Sequence, residues 1–150
     1  MRYPLALGLL LSAISVSAQV PATSIKIDLK TPVRLSITDA MSSKNAKAGD
    51  TFGLAAADDV TVNGHVVIAK GASATGRIIA AEKRKFATQN GKLEITVDSV
   101  KAVDGHNVPL DGHLTVGGGG VSYGHPGKNA EIEKGQIINA VVAAETEVKL

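Results

Sequence analysis

VTVNGHVVIAKGASATGRII, residues 60–79, reads as strand, tight turn, strand, turn, strand. Val60 and Val62 flank Thr61, and β-branched side chains suit a pleated surface. Asn63-Gly64 supplies two residues that tolerate positive φ, as a two-residue type I′ turn requires. Val66, Val67 and Ile68 carry the return strand; three apolar residues in a row imply burial on both faces or a small bulge. Ala69-Lys70-Gly71 forms the second turn, with Gly71 in the left-handed position. Thr75 to Ala81 is the third strand, favoured over a helix beginning at Arg77 because Gly76 precedes it and Ile78-Ile79 lie within it.

The flanking chain repeats this grammar. Ile25, Ile27 and Leu29 alternate with Lys26, Asp28 and Lys30, and after Thr31-Pro32 the alternation resumes with Val33, Leu35 and Ile37. Such period-2 patterns mark half-buried strands. Residues 39–50 lack a strand pattern and read as an ordered loop with one helical turn around Ser42 to Lys47. Thr51 to Ala56 is a strand with Phe52 and Leu54 on one face. After the charged connection Glu82 to Asn90, Leu93, Ile95 and Val97 give the clearest alternation in the chain. Asp104-Gly105 and Asp111-Gly112 read as further hairpin turns, separating Val108 to Leu110 from Leu114 to Val116, and Pro109 points to an edge strand. Ile132-Glu133-Lys134-Gly135 echoes Ile68-Ala69-Lys70-Gly71, a repeated turn device ahead of Ile137 to Val142. Val148 and Leu150 add a last edge strand. Many short strands joined by Gly-containing turns predict an all-β domain, a small barrel or a two-sheet sandwich of antiparallel hairpins. A barrel is preferred, because small and β-branched side chains fill a narrow interior without rings.

Composition narrows the function. Met1-Arg2, the apolar run Leu5 to Leu11 and the small residues up to Ala18 make a secretory signal peptide with a cut after Ala18. The apolar run is short for a membrane span. The organisation expected is therefore a signal at 1–18, a lead-in at 19–24 and one β-domain at 25–150, located in the periplasm or secreted, with no stable membrane span after cleavage. The chain has no Cys, so disulfide and thiol chemistry are excluded. Sixteen Lys and Arg against 14 Asp and Glu give no electrostatic case for nucleic acid. Two Phe, two Tyr and no Trp leave few stacking platforms for bases or sugars.

All four histidines directly follow a glycine: His65, His106, His113 and His125. Imidazole suits zinc, copper or nickel. Were three of these turns to meet at one end of a barrel, a metal site with Asp104 or Asp111 could form; the spacing matches no ligand signature, and turn chemistry alone explains the pattern and is the preferred reading. Gly117 to Gly127, GGGGVSYGHPG, is a flexible insertion whose glycines are costly to order. Its end does not make a phosphate loop, since Ser122 and Asn129 stand where Gly and Ser/Thr are needed. Lys83-Arg84-Lys85 reads as a solvated connection. Ser42, Ser43, Lys44 and Lys47 lack the Ser-x-x-Lys arrangement, and no calcium loop occurs.

Ser42-Ser43-Lys44, Ala46-Lys47 and Gly49-Asp50, followed by Val60 to Gly71 and Gly76, resemble a pattern in uncharacterised secreted bacterial proteins, notably from acidobacteria, over most of residues 33–116. More distantly, the Ile-x-Lys-Gly turn before a Gly-containing strand is similar to the β-barrel module of conjugation and type IV secretion channel proteins of the TrbI/VirB10 type. The resemblance implies a β-barrel fold. The function expected is that of a non-enzymatic exported β-domain, without cofactor, that binds a partner such as an envelope protein or serves in envelope assembly. A small periplasmic metal-binding protein is the alternative.

Overall fold

The computed structural model describes residues 23–85, 89–118 and 127–150. The signal peptide expected at 1–18, most of the lead-in, the tip of the charged connection and most of the Gly-rich insertion, with His125, lie outside the described residues. Twelve strands are present: β1 (Ser24–Ile27), β2 (Pro32–Ile37), β3 (Met41–Ser42), β4 (Thr51–Ala56), β5 (Val60–Val62), β6 (His65–Ile68), β7 (Ser73–Glu82), β8 (Lys92–Lys101), β9 (Asn107–Gly117), β10 (Glu131–Ile132), β11 (Ile137–Val142) and β12 (Thr146–Lys149). Six of them close into an antiparallel barrel in the order β11-β2-β4-β7-β8-β9. Three two-stranded sheets, β1-β12, β3-β10 and β5-β6, stand outside the ring.

The alternation in the sequence produces the barrel directly. Val33, Leu35 and Ile37 of β2, Leu93, Ile95 and Val97 of β8, and Ile138, Ala140 and Val142 of β11 all point inward and are buried. They join one continuous apolar cluster. Leu35 and Ile95 are fully enclosed, and truncating such a side chain to Ala costs about 2–5 kcal/mol. Phe52, the one aromatic among the described residues, reaches the cluster from β4 opposite Gly76 of β7. A Cβ at Gly76 would lie 2.5 Å from the Phe52 Cζ and 2.8 Å from the Thr96 carbonyl oxygen. The missing side chain is therefore the space the ring occupies.

Because neighbouring barrel strands are antiparallel, the connections sort to two ends. At one end lie the β1–β2 turn, the β5–β6 hairpin, the β8–β9 turn and the passage to β12. Val67 and Ile68 of the hairpin, Ile25 and Ile27 of β1 and Val148 of β12 are buried there, extending the core beyond the ring. Backbone bonds tie this end together, as in Val103 N–H to the Val67 carbonyl (3.0 Å) and Leu150 N–H to that of Thr23 (2.8 Å). At the other end lie β3 and β10, the start of β4 and the β7–β8 connection.

One turn device recurs four times among the described residues. In Asp28–Thr31, Lys47–Asp50, Ala69–Ala72 and Glu133–Gln136 the fourth residue donates its N–H to the carbonyl of the first, at 3.0–3.3 Å. The third residue, Lys30, Gly49, Gly71 or Gly135, has positive φ. In each turn the third N–H and the fourth carbonyl exchange bonds with a single barrel residue: Val142, Ile78, Ala56 and Ile37 respectively. Each turn thus pins the start of a barrel strand, β2, β4, β7 or β11, to the strand beside it. The echo between residues 68–71 and 132–135 is this device, two of the four copies.

Several expectations need correction. The Val60–Ile68 hairpin forms with its type I′ turn, Asn63 and Gly64 both at positive φ, but it packs over one end and contributes no barrel strand. Of the two explanations for its three apolar residues in a row, the bulge holds: the pairing shifts between Val60 and Thr61, and Val66 points outward while Val67 and Ile68 are buried. Asp111-Gly112 is no turn: β9 runs through it unbroken, with a bulge in its pairing to β8 between Val97 and Ser99. A Cβ at Gly112 would meet the Ala140 Cβ at 2.7 Å, so glycine is there for close strand approach. Pro109 is not on an edge strand. Its carbonyl accepts from Ala143 N–H just past the last β9–β11 pair, Val142↔Leu110, so its missing N–H falls where that ladder has already stopped. Leu29 is exposed, because the turn at Lys30 ends the first strand at Ile27. Residues 42–47 hold one i→i+4 bond, Ala46 N–H to the Ser42 carbonyl, but Met41–Ser42 is itself a short strand.

Candidate functional site

At the end of the barrel away from the β5–β6 hairpin, a cleft of about 570 Å³ lies between the β3–β10 ribbon and the rim formed by β4 and β7. Its apolar surface comes from Ala40, Met41, Ala46, Phe52, Ile78 and Ile132. Phe52 and Ile78 are buried in neighbouring barrel strands, and Ile132 turns inward from β10. Around them stand four exposed carboxylates: Asp39 ahead of β3, Asp50 ahead of β4, and Glu131 and Glu133 on either side of Ile132. Among the described residues no Lys, Arg or His lines the cleft; Lys44, Lys47 and Lys134 are sequence neighbours that do not. None of the four carboxylates is in an ion pair among the described residues. Asp50 Oδ2 accepts from Lys47 N–H at 3.1 Å, holding the turn that starts β4.

The ribbon that walls the cleft is anchored by one side chain. Ser43 is fully buried. Its N–H donates to the Ala130 carbonyl (2.8 Å), and its Oγ accepts from Ala130 N–H (2.9 Å). This double link fixes β3 against β10, where Ser42 faces Glu131 and Met41 faces Ile132. Gly91 packs on the Ser43 hydroxyl, and Gly117 packs on Gly91. A Cβ at either position would collide with that contact. The pair β3-β10 is a sheet of two strands, so the second edge of β3 carries no strand, and residues 40–42 line the cleft.

The histidines do not assemble. His65 begins β6 and His106 sits in the β8–β9 turn, both exposed at the hairpin end, whereas His113 projects from β9 opposite Thr96 on the outer wall. Among the described residues no three His, Asp or Glu side chains converge on a point that could hold a metal ion. The meeting of three Gly-His turns therefore does not occur with His65, His106 and His113, because Asp111-Gly112 lies within a strand.

His106 has a local structural part. The Asp104 carboxylate, largely enclosed, accepts from Lys149 N–H (2.9 Å) and His106 N–H (3.0 Å), and meets His106 Nδ1 at 2.6 Å. The Lys149 amide, then the imidazole and the His106 amide, hold this carboxyl well below the usual range. It fastens the β8–β9 turn to β12.

The cleft was not foreseen from the sequence. Its parts come from residues 39–52, 78 and 131–133, which only the closing of the barrel brings together. The available signal was the acidic spacing Glu131-Ile132-Glu133, in which one apolar residue turns inward between two outward carboxylates. No protein-family profile matches the chain, and no curated protein matches it significantly. Among the described residues no helix is long and apolar enough to cross a membrane.

Proposed function

We propose that this protein is a non-enzymatic binding module of the bacterial cell envelope, and that it holds its partner in the cleft between the β3–β10 ribbon and the β4–β7 rim. The observation that carries the reading is that cleft: an apolar floor including the one described aromatic, open to solvent, within a charged rim. Binding sites are concave and mostly apolar, with a few polar groups that set orientation, and the volume falls in the usual range of about 300–1,000 Å³. The leader at residues 1–18 supports export. The fastened hairpin end and the closed ring suit a rigid scaffold whose recognition elements are loops at one rim.

The test is site-specific photo-crosslinking in the native envelope. A photoreactive residue at exposed Ala40 or Asn45, on the cleft, is compared with one at exposed Lys26 or Thr115, away from it. The expected result is a discrete cross-linked species from each cleft position, and the one from Asn45 is suppressed by Ala40→Trp, which fills the cleft. Products only from Lys26 or Thr115, or none, would overturn the reading.

A further inference from the structure

We infer that Asn63-Gly64, at the tip of the β5–β6 hairpin, is a self-modification site, where the Asn63 side chain of the folded protein loses ammonia and is converted to aspartate and isoaspartate. The reaction needs no enzyme and only water as co-reactant. The Gly64 amide nitrogen attacks the Asn63 Cγ. A new N–Cγ bond forms, the Cγ–Nδ2 bond breaks, and ammonia leaves with the proton that the Gly64 N–H gives up. Water then opens the five-membered imide. Cleavage of the new bond leaves aspartate in an ordinary main chain. Cleavage of the original peptide C–N bond leaves isoaspartate, with the chain running through Cγ. Both products carry one extra negative charge, and isoaspartate adds a methylene to a loop of two residues. The site stands apart from the cleft, which lies at the other end of the barrel.

Four dipeptides place glycine, with no Cβ to obstruct the attack, after Asn or Asp: residues 63–64, 90–91, 104–105 and 111–112. The attack needs a free amide N–H and a side chain able to swing over it. The fold withdraws these from three of the four. Gly91 is buried and its N–H donates to the Lys128 carbonyl at 2.7 Å, while Asn90 Oδ1 accepts from Lys128 N–H at 3.0 Å. Gly105 N–H donates to the Ala102 carbonyl at 3.0 Å, and the Asp104 carboxylate is held by Lys149 N–H, His106 N–H and the His106 ring. Gly112 is buried within β9, in the ladder opposite Val97. Asn63 and Gly64, by contrast, are both exposed, with nothing within 4 Å of a Cβ built on Gly64. Among the described residues the Gly64 N–H donates to no backbone carbonyl and the Asn63 side chain makes no hydrogen bond. What the attack still requires is rotation about the Asn63 Cα–C bond, and at this tip that rotation disturbs only the Val62↔His65 pair.

The experiment is peptide mapping by mass spectrometry of the full chain, incubated for weeks in mildly alkaline buffer, once folded and once in urea. Conversion is read as a gain of one mass unit, with aspartate and isoaspartate resolved by chromatography. A site reached only through local opening reacts more slowly by its closed-to-open ratio. In the folded protein Asn63 is therefore expected to convert at least about tenfold faster than Asn90. In urea, where both Asn-Gly dipeptides are open, the two rates should converge. Asn63→Asp, which keeps a dipeptide suited to the type I′ turn, should match one of the two converted forms in ion-exchange mobility and show no further gain in mass at that position. Equal rates at Asn63 and Asn90 in the folded protein would overturn the inference. So would a preference for Asn63 that survives in urea, since the fold would then not be its cause. So would a folded Asn63 left unchanged over the time in which the urea sample converts.

Discussion

Two kinds of glycine do different work in this barrel, and substitution separates them. Gly71 and Gly135 have positive φ, with nothing within 4 Å of an added Cβ. Alanine there meets only the left-handed backbone penalty, about 1–2 kcal/mol. Gly76 and Gly112 are places where a neighbouring chain already occupies the Cβ position, so alanine forces strands apart, at about 1–3 kcal/mol or more. Urea unfolding should therefore rank Gly112→Ala and Gly76→Ala as more damaging than Gly71→Ala; the reverse order would contradict the packing described. Gly76→Ala carries a second consequence, since the displaced group is the Phe52 ring and that ring lines the cleft: cross-linking from Asn45 should fall with stability. Ser43→Ala leaves the buried Ala130 N–H without its acceptor, a loss of about 1–3 kcal/mol. In amide hydrogen exchange, the added exposure should concentrate at β3 and β10.

The four pinned turns explain how a chain with few rings and no disulfide fixes its strand starts. Each closes locally and then exchanges two bonds with a single residue of the adjacent strand, so register is set at the first residue of the strand. Lys30 occupies a position where the other three turns have glycine. Lys30→Val, β-branched at positive φ, should lower the unfolding midpoint clearly, whereas Lys30→Gly should change stability by no more than about 1 kcal/mol. At the hairpin end the Asp104 knot makes a pH-dependent fastening. Its carboxyl is depressed in the folded state, so the stability it contributes is complete above about pH 5 and is lost as pH falls through the ordinary carboxylate range toward the folded value. The melting-temperature difference between the native protein and Asp104→Asn should be widest near about pH 7 and shrink below about pH 4. A difference independent of pH would remove the charged form from the account.

At the scale of the whole molecule, closing the sheet removes most of the edge that an open β-sheet exposes; among the described residues β9 and β11 close the ring over two pairs, Val141↔Asp111 and Val142↔Leu110, and the three outlying pairs carry edges of their own. The all-β class and the strands with clean alternation, such as Val33 to Ile37 and Leu93 to Val97, were legible because period 2 reports burial of one face. The type I′ turn at Asn63-Gly64 was legible because few residue pairs accept that backbone. Asp111-Gly112 misled because the same dipeptide also serves where a strand bulges and a neighbour comes close; only the position of Ala140 distinguishes the two. The place of the Val60–Ile68 hairpin outside the ring was not legible, since a buried hairpin reads alike whether it completes a barrel or covers its end. The cleft lay beyond reach for a related reason: Met41, Ile78 and Ile132 are distant in sequence, and each reads as ordinary core.

The central claim is that the rim between the β3–β10 ribbon and β4 is where this molecule recognises another chain. The most direct measurement is photo-crosslinking in the native envelope from a photoreactive residue at Asn45, on the cleft, against one at Thr115, on the outer wall. The account predicts a discrete product from Asn45 that Ala40→Trp removes, and none from Thr115. A product from Thr115 alone, or from neither position, would contradict it.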